Sequence, residues 1–122
     1  MTAAQFQYDV VKALRRYALQ YPETNEGSSC VKRAFRARNK GFLYLGEKDD
    51  SYNIMVKLDE SLDEAGALAA GQPDHYAVGS TSWVTMNFGA DQIPPDGLVE
   101  RWIDESFRLQ APKAVLAELD QD

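Results

Sequence analysis

Residues 31–45 have the sequence VKRAFRARNKGFLYL, which predicts a β-hairpin at the centre of the fold. The segment 39–41, Asn-Lys-Gly, suits a three-residue connection in which Gly41 takes the left-handed backbone conformation. A connection of that length determines which residues of the two strands lie opposite each other. The predicted pairs are Arg38 with Phe42 and Arg36 with Tyr44.

Each face of the predicted hairpin has its own chemistry, because successive side chains of a strand point to opposite faces. The face expected to turn inward holds Phe35, Ala37, Leu43 and Leu45. The opposite face is expected to hold Lys32, Arg36, Arg38, Phe42 and Tyr44. Cations and aromatic rings are therefore predicted to emerge together on one side of the sheet.

Before the hairpin, the chain predicts one long helix over residues 3–20. The segment Thr2-Ala3-Ala4-Gln5 matches a capping box, in which a hydroxyl caps the helix and Gln stands three positions later. Pro22 ends the helical pattern. The polar segment 23–29 predicts a loop. The apolar stripe of this helix consists of Phe6, Val10, Leu14, Tyr17 and Tyr21.

After the hairpin, strands and helices alternate without regular crossovers. Strands are predicted over 52–58 and 83–88, and the segment 73–81 between them predicts a loop. Helices are predicted after a capping box at residues 61–64, after the Pro-Pro pair at 94–95, and from Pro112 to Leu119. Clustered strands of this kind favour an α+β fold, an antiparallel sheet with helices packed on one face.

Length and composition indicate a single soluble domain over residues 1–122. The chain is 44% hydrophobic and 26% charged, with one His and one Cys. No apolar run approaches the ~20 residues that cross a bilayer, so no membrane association is expected. No secretory signal is recognised at the start of the chain, and Cys30 has no second cysteine for a disulfide. We therefore expect a cytoplasmic protein, and we expect no metal site, since Cys30 and His75 are too few ligands for zinc.

Charge is distributed unevenly along this acidic chain, whose net charge is −6. Residues 1–48 carry nine Lys and Arg against four Asp and Glu, whereas residues 49–122 carry four against fifteen. Such asymmetry indicates polarised surfaces. A basic surface can bind an anionic partner even on an acidic protein, because salt screens charges beyond ~8 Å.

Four segments of the chain together resemble the MmcQ/YjbR family of small bacterial proteins, which shares its fold class with the frataxin homologue CyaY. They are Leu19-Gln20-Tyr21-Pro22-Glu23-Thr24, Lys40-Gly41-Phe42-Leu43-Tyr44-Leu45, Trp83-Val84-Thr85-Met86-Asn87-Phe88, and Ile93-Pro94-Pro95-Asp96-Gly97-Leu98 with Ile103-Asp104-Glu105-Ser106-Phe107. The resemblance implies a two-layer α+β sandwich of the YjbR/CyaY type. It also implies a DNA-binding role with a "double wing" arrangement, and it supplies no catalytic residue.

The leading functional hypothesis is a non-enzymatic binding protein that contacts DNA or another anionic partner through the basic-aromatic sheet face. Cations bind phosphates, and aromatic rings stack on bases. The alternative is a solvated sheet face on which Arg–aromatic pairs only stabilise the sheet. Under the first hypothesis the phosphate contacts are Arg36, Arg38 and Lys40, and the packing residues are Phe42, Tyr44 and Trp83.

Two other functions remain open from the residues alone. One is a protein-interaction module that uses the acidic segments 59–64 and 96–105. The other is a small-ligand binder or an enzyme at the loop 73–83, which contains His75. A catalytic histidine needs an orienting partner and a nucleophile, and no spacing here supplies both. We therefore name no catalytic residue and no cofactor, and we expect a monomer.

Overall fold

The computed structural model describes residues 6–120. Within them the chain forms four helices and a six-stranded sheet with the strand order β1-β2-β3-β4-β6-β5, in which all neighbours are antiparallel. The elements in chain order are α1 (Asp9–Leu19), β1 (Thr24–Ser29), β2 (Lys32–Ala37), β3 (Lys40–Lys48), β4 (Ser51–Lys57), α2 (Leu62–Gly71), β5 (Tyr76–Val78), β6 (Trp83–Gly89), α3 (Leu98–Gln110) and α4 (Lys113–Leu119).

The helices α1 and α3 pack against one face of the sheet, and the hydrophobic core lies between these two layers. The apolar face of α3 supplies Trp102, Ile103 and Phe107, all fully buried. From the sheet, the core takes the alternate residues that period-two patterning predicts. They include Phe35, Ala37, Leu43, Leu45, Ile54, Val56, Val84, Met86 and Phe88. The predicted α+β fold with an antiparallel sheet is confirmed.

The register of the central hairpin differs from the predicted one. The connection has two residues, Arg38 and Asn39, because Ala37 pairs with Lys40. The left-handed residue of this turn is Arg38, with φ 54°, whereas Gly41 has no positive φ. The predicted pairs of Arg38 with Phe42 and Arg36 with Tyr44 are therefore wrong.

A β-bulge beside this turn changes the direction in which Phe42 points. Arg36 pairs with Gly41 and Phe35 pairs with Leu43, so that Phe42 is the extra residue of β3. An extra residue locally breaks the alternation of side chains. Phe42 consequently points into the core beside Leu43 and packs edge-to-face on Phe107, with 5.1 Å between the ring centroids.

Ser106 of α3 closes the bulge from the helix side. Its buried hydroxyl donates to the carbonyl oxygen of Phe42 at 2.6 Å and accepts from the backbone N–H of Lys57 at 3.0 Å. One side chain thus satisfies two backbone groups that lie beyond the regular ladder between β3 and β4. Gln110 of the same helix donates to the carbonyl oxygen of Gly41 at 3.0 Å.

Two segments predicted as loops are edge strands. β1 lies within the predicted loop 23–29 and pairs along its whole length with β2. Its sequence, TNEGSS, lacks the β-branched and aromatic residues that usually mark a strand. β5 lies within the predicted loop 73–81 and places Tyr76 in the core. Both strands exist because a neighbouring strand offers them hydrogen bonds.

The helix starts also differ from the prediction. α1 begins at Asp9 rather than near residue 3, and the backbone N–H groups of Gln7 and Tyr8 donate to the carboxylate of Glu47. The predicted capping box at Thr2 lies outside the described residues. Ser61 precedes α2 without capping it, since its hydroxyl donates to Glu105 at 2.6 Å. The predicted helices that follow residues 94–95 and begin near Pro112 are confirmed as α3 and α4.

Candidate functional site

The sheet face turned away from α1 and α3 is called the outer face here, and the opposite one the helix side. Apart from the buried Ala34, side chains on the outer face are partly or fully exposed, whereas the apolar residues between them on the same strands are buried. By strand alternation and register, the charged and aromatic members of the outer face are Lys32, Arg36, Tyr44, Lys48, Lys57 and Trp83.

All charged strand residues of the outer face within residues 6–120 are cations. Glu26 and Glu47, the acids inside β1 and β3, point to the helix side, where they bond Arg15 and the start of α1 respectively. Within the same residues no carboxylate forms an ion pair with Lys32, Arg36 or Lys57. The outer face is thus electropositive on a protein of net charge −6.

Two aromatic rings meet at one end of the outer face. Tyr44 and Trp83 lie edge to face with 5.6 Å between their centroids, and the Nζ of Lys57 is 6.0 Å from the centre of the Trp83 ring. The hydroxyl of Tyr44 lies where a Cβ on Gly41 would stand. Glycine at position 41 is therefore explained by the close approach of Tyr44 rather than by a left-handed backbone.

A groove crosses the outer face beside these rings. Its volume is about 540 Å³. The turn between β1 and β2 forms one wall, and the aromatic pair with Met55 forms the other. The residues that line it are Ser29, Cys30, Val31, Lys32, Tyr44, Met55 and Trp83.

The structure brings together only half of the predicted contact residues. Arg36, Tyr44 and Trp83 lie on the outer face, where the guanidinium of Arg36 extends over Gly27 of β1. The prediction that Phe42 emerges on the outer face is wrong, because its side chain is completely buried. Lys40 and Arg38 also lie away from the outer face on which their contacts were predicted. Lys40 pairs with the inward-facing Ala37, and Arg38 lies in the turn.

Arg38 has an intramolecular partner. Its guanidinium forms two hydrogen bonds with the carboxylate of Glu23, at 2.8 and 3.1 Å, and its backbone N–H donates to the Glu23 carbonyl oxygen. The hydrogen bonds from Arg38 are the main cause that lowers the pKa of Glu23 to about 2, and Glu118 of α4 contributes as well. Arg38 therefore joins the hairpin turn to the chain before β1.

Much of the acidic surface considered above is also used within the fold. Glu64 accepts two hydrogen bonds from Arg101 and one from the Trp102 indole N–H, and these bonds lower its pKa. Burial raises the pKa of Glu105, but hydrogen bonds from residues 59–61 outweigh burial and lower it. Asp104 accepts from Tyr21 and Arg108. The exposed carboxylates left in these segments are Asp59, Glu60, Asp63 and Asp96.

His75 lies at the start of β5 and does not form a group of interacting titratable residues. Its Nδ1 is 2.8 Å from the carbonyl oxygen of Asn87, and its ring stacks on Phe88 with 5.1 Å between centroids. Within residues 6–120 there is no group of three or more His, Cys, Asp or Glu that could hold a metal ion. In this same part of the chain no helix is both long and apolar enough to span a membrane.

Sequence patterns missed the wall that β1 contributes to the groove. Because the segment 23–29 was predicted as a loop, Ser29 and Cys30 had no assigned position relative to Tyr44. Alternation placed Lys32 on the correct face, but neither Lys32 nor Lys57 was among the predicted contact residues. The pairing of Lys57 with Trp83 and the approach of Lys32 to Gly46 depend on the order of the strands in the sheet, which local patterns do not give.

The fold and the site define a small α+β sandwich with an open, electropositive sheet face. The YjbR family model matches residues 19–109, which is most of the chain, so the protein belongs to the YjbR family. The match includes the whole sheet and all but the last residue of α3. No curated protein and no solved structure shows significant similarity to the chain.

Proposed function

We propose that this protein binds DNA through its outer face. The observation that carries the proposal is the set of unpaired cations, Lys32, Arg36 and Lys57, on a face whose charged strand residues are all basic among those described. Cations with no internal carboxylate partner are available to phosphates, and binding releases the counterions that phosphates hold. Tyr44 and Trp83 add apolar ring surface beside them.

The alternative functions receive less support from the contacts. An acidic docking surface has only Asp59, Glu60, Asp63 and Asp96 as its exposed carboxylates without a described partner. Glu64 and Glu105 already bond Arg101, Trp102 and residues 59–61. An enzyme at the loop 73–83 would need a second titratable group beside His75, and the hydrogen bond of His75 goes to a backbone carbonyl. The proposal therefore describes a cytoplasmic, non-catalytic DNA-binding protein in which the β1–β2 and β2–β3 hairpins are the two wings.

The proposal is tested by titrating a labelled oligonucleotide in duplex and single-stranded form at about 20 and about 150 mM salt, with fluorescence anisotropy as the readout. The variant Lys32→Ala/Arg36→Ala/Lys57→Ala should weaken binding. It should also flatten the slope of log K against log[salt] by about two to three, since each phosphate contact contributes about 0.7–0.9.

The matched control removes three cations from the helix layer. Lys12, Arg16 and Lys113 are exposed and form no ion pair within residues 6–120. Their triple alanine variant has the same net charge as the outer-face variant and should bind DNA almost as well as the unmodified protein. Equal losses in the two variants would show that overall charge, and not the outer face, determines binding. Absence of binding by the unmodified protein at about 20 mM salt would exclude DNA as the partner.

A further inference from the structure

The groove on the outer face places two aromatic rings beside the β1–β2 turn. Its volume of about 540 Å³ falls within the ~300–1,000 Å³ typical of small-ligand sites. The rings of Tyr44 and Trp83 line its inside, while the β1–β2 turn, with Val31 92% exposed, stands at its rim. The two rings therefore lie on an open, concave part of the outer face beside the turn.

Stacking on these rings requires a base that has left its own stack. In an intact duplex the bases remain stacked and present only their edges in the grooves. Only an unstacked base therefore presents its flat face to Tyr44 and Trp83. Bases of a single strand are already free to do so and stack readily on aromatic side chains.

The charges around the groove suit a nucleic-acid strand that inserts one base into the groove and keeps its phosphates outside. Lys32 lines one side, and Lys57 lies near Trp83 on the other. Neither lysine forms an ion pair with a carboxylate of residues 6–120. Phosphates on either side of an inserted base would each find an unpaired cation.

We propose that the groove binds one unstacked base of single-stranded DNA between the β1–β2 turn and the Tyr44–Trp83 pair. Lys32 and Lys57 hold the flanking phosphates. This inference rests on the proposed function, because it specifies the form of nucleic acid that the outer face recognises. Duplex DNA keeps its bases stacked and binds mainly through the cations.

The test compares three probes by fluorescence anisotropy and competition at about 20 mM salt. They are a labelled single strand of about 12 nucleotides, its duplex, and a nucleoside monophosphate as competitor. The single strand should bind at least tenfold more tightly than the duplex. Trp83→Ala and Tyr44→Ala should each weaken single-strand binding by about 5- to 150-fold, the range expected for loss of one stacking contact. Both variants should weaken duplex binding much less than single-strand binding.

Controls separate loss of stacking from loss of structure. Trp83→Phe keeps a ring and should retain most of the single-strand affinity, and the circular dichroism spectra of all variants should match that of the unmodified protein. If the single strand and the duplex bind equally and Trp83→Ala changes neither, the groove proposal is wrong while the proposed DNA-binding function stands. If the monophosphate competes as strongly as the oligonucleotide, the groove is a mononucleotide site and the single-strand proposal is overturned. If no probe binds, both proposals fail.

Discussion

The two faces of the sheet differ in whether their arginines form ion pairs. On the helix side, Arg15 of α1 and Arg33 of β2 share the carboxylate of Glu26, at 2.8 and 2.9 Å. On the outer face, Arg36 of the same strand β2 has no such partner within residues 6–120. The same residue type therefore stabilises contacts between elements on one face and remains available to a ligand on the other.

The difference arises from what faces each surface. The helix side packs against α1 and α3, and there the carboxylate of Glu26 from β1 lies between Arg15 of α1 and Arg33 of β2. Outer-face residues have only their neighbours on adjacent strands, and among the described residues none of those neighbours is acidic. Since an exposed ion pair contributes only ~0–1 kcal/mol, the cations of the outer face cost little stability by remaining unpaired.

The largest effect is expected from comparing two aromatic residues of β3, one on each face. Phe42→Ala removes a fully buried ring that packs on Phe107, and it should lower the free energy of unfolding by about 3–5 kcal/mol. Tyr44→Ala removes a partly exposed ring with cross-strand contacts and should cost about 1 kcal/mol. Urea denaturation measures both values. If the Phe42 variant does not fold, Phe42→Leu should still lose more stability than Tyr44→Ala. Similar losses at the two positions would contradict the assigned faces.

A smaller effect is expected at the bulge. Ser106→Ala leaves the Phe42 carbonyl oxygen and the Lys57 N–H without their buried partner, and it should cost about 1–3 kcal/mol of unfolding free energy. Ser28→Ala, at an exposed position of β1, is the control and should change stability by less than about 0.5 kcal/mol. Thermal and urea unfolding of the two variants give the comparison. A Ser106→Ala variant as stable as the Ser28→Ala variant would show that the bulge does not depend on this hydroxyl.

The ion pair at the hairpin turn should make a small, pH-dependent contribution. Arg38 lowers the pKa of Glu23 from 4.5 to about 2, so the stabilisation is present above about pH 4.5 and is lost as the pH falls towards 2. Glu23→Gln should therefore lower the melting temperature at pH 7, and the difference should vanish near pH 2. The pKa of Glu118 is raised, chiefly by its hydrogen bond with Glu23, so Glu118→Gln should not destabilise the protein at pH 7. A pH-independent effect of Glu23→Gln would exclude this role for the ion pair.

The smallest change tests the aromatic pair of the outer face without removing a ring. A Cβ at Gly41 would occupy the place of the Tyr44 hydroxyl, so Gly41→Ala should displace the Tyr44 ring relative to Trp83. The indole N–H resonance of Trp83 in an NMR spectrum should shift. The resonance of Trp102, which is buried in α3, should stay in place as an internal control. Equal shifts of both would indicate a change of the whole fold.

The outcome for the hairpin explains how far the sequence could predict the site. Alternation placed Arg36 and Tyr44 correctly, because regular pleating extends over most of both strands. It failed for Phe42 because one extra residue reverses the direction of a side chain, and the residue types on either side do not reveal the bulge. The sequence around Phe42 fits both a regular hairpin, with Phe42 on the outer face, and a bulged one, with Phe42 in the core. The contact with Phe107 of α3 distinguishes the two, and it is visible only in the tertiary structure.

Hydrophobic periodicity and the positions of Pro22, Pro94 and Pro112 were enough to establish the α+β class, most of the core and the order of the main elements, because these depend on contacts near in the chain. Which cations lack partners was decided by the tertiary structure. Ion pairs such as Arg33 with Glu26 form only where the fold brings the two side chains together, here with 2.9 Å between Nε and Oε2. The groove arises in the same way, since its two walls come from the β1–β2 turn and from β6, which are about fifty residues apart in sequence but face each other across the sheet.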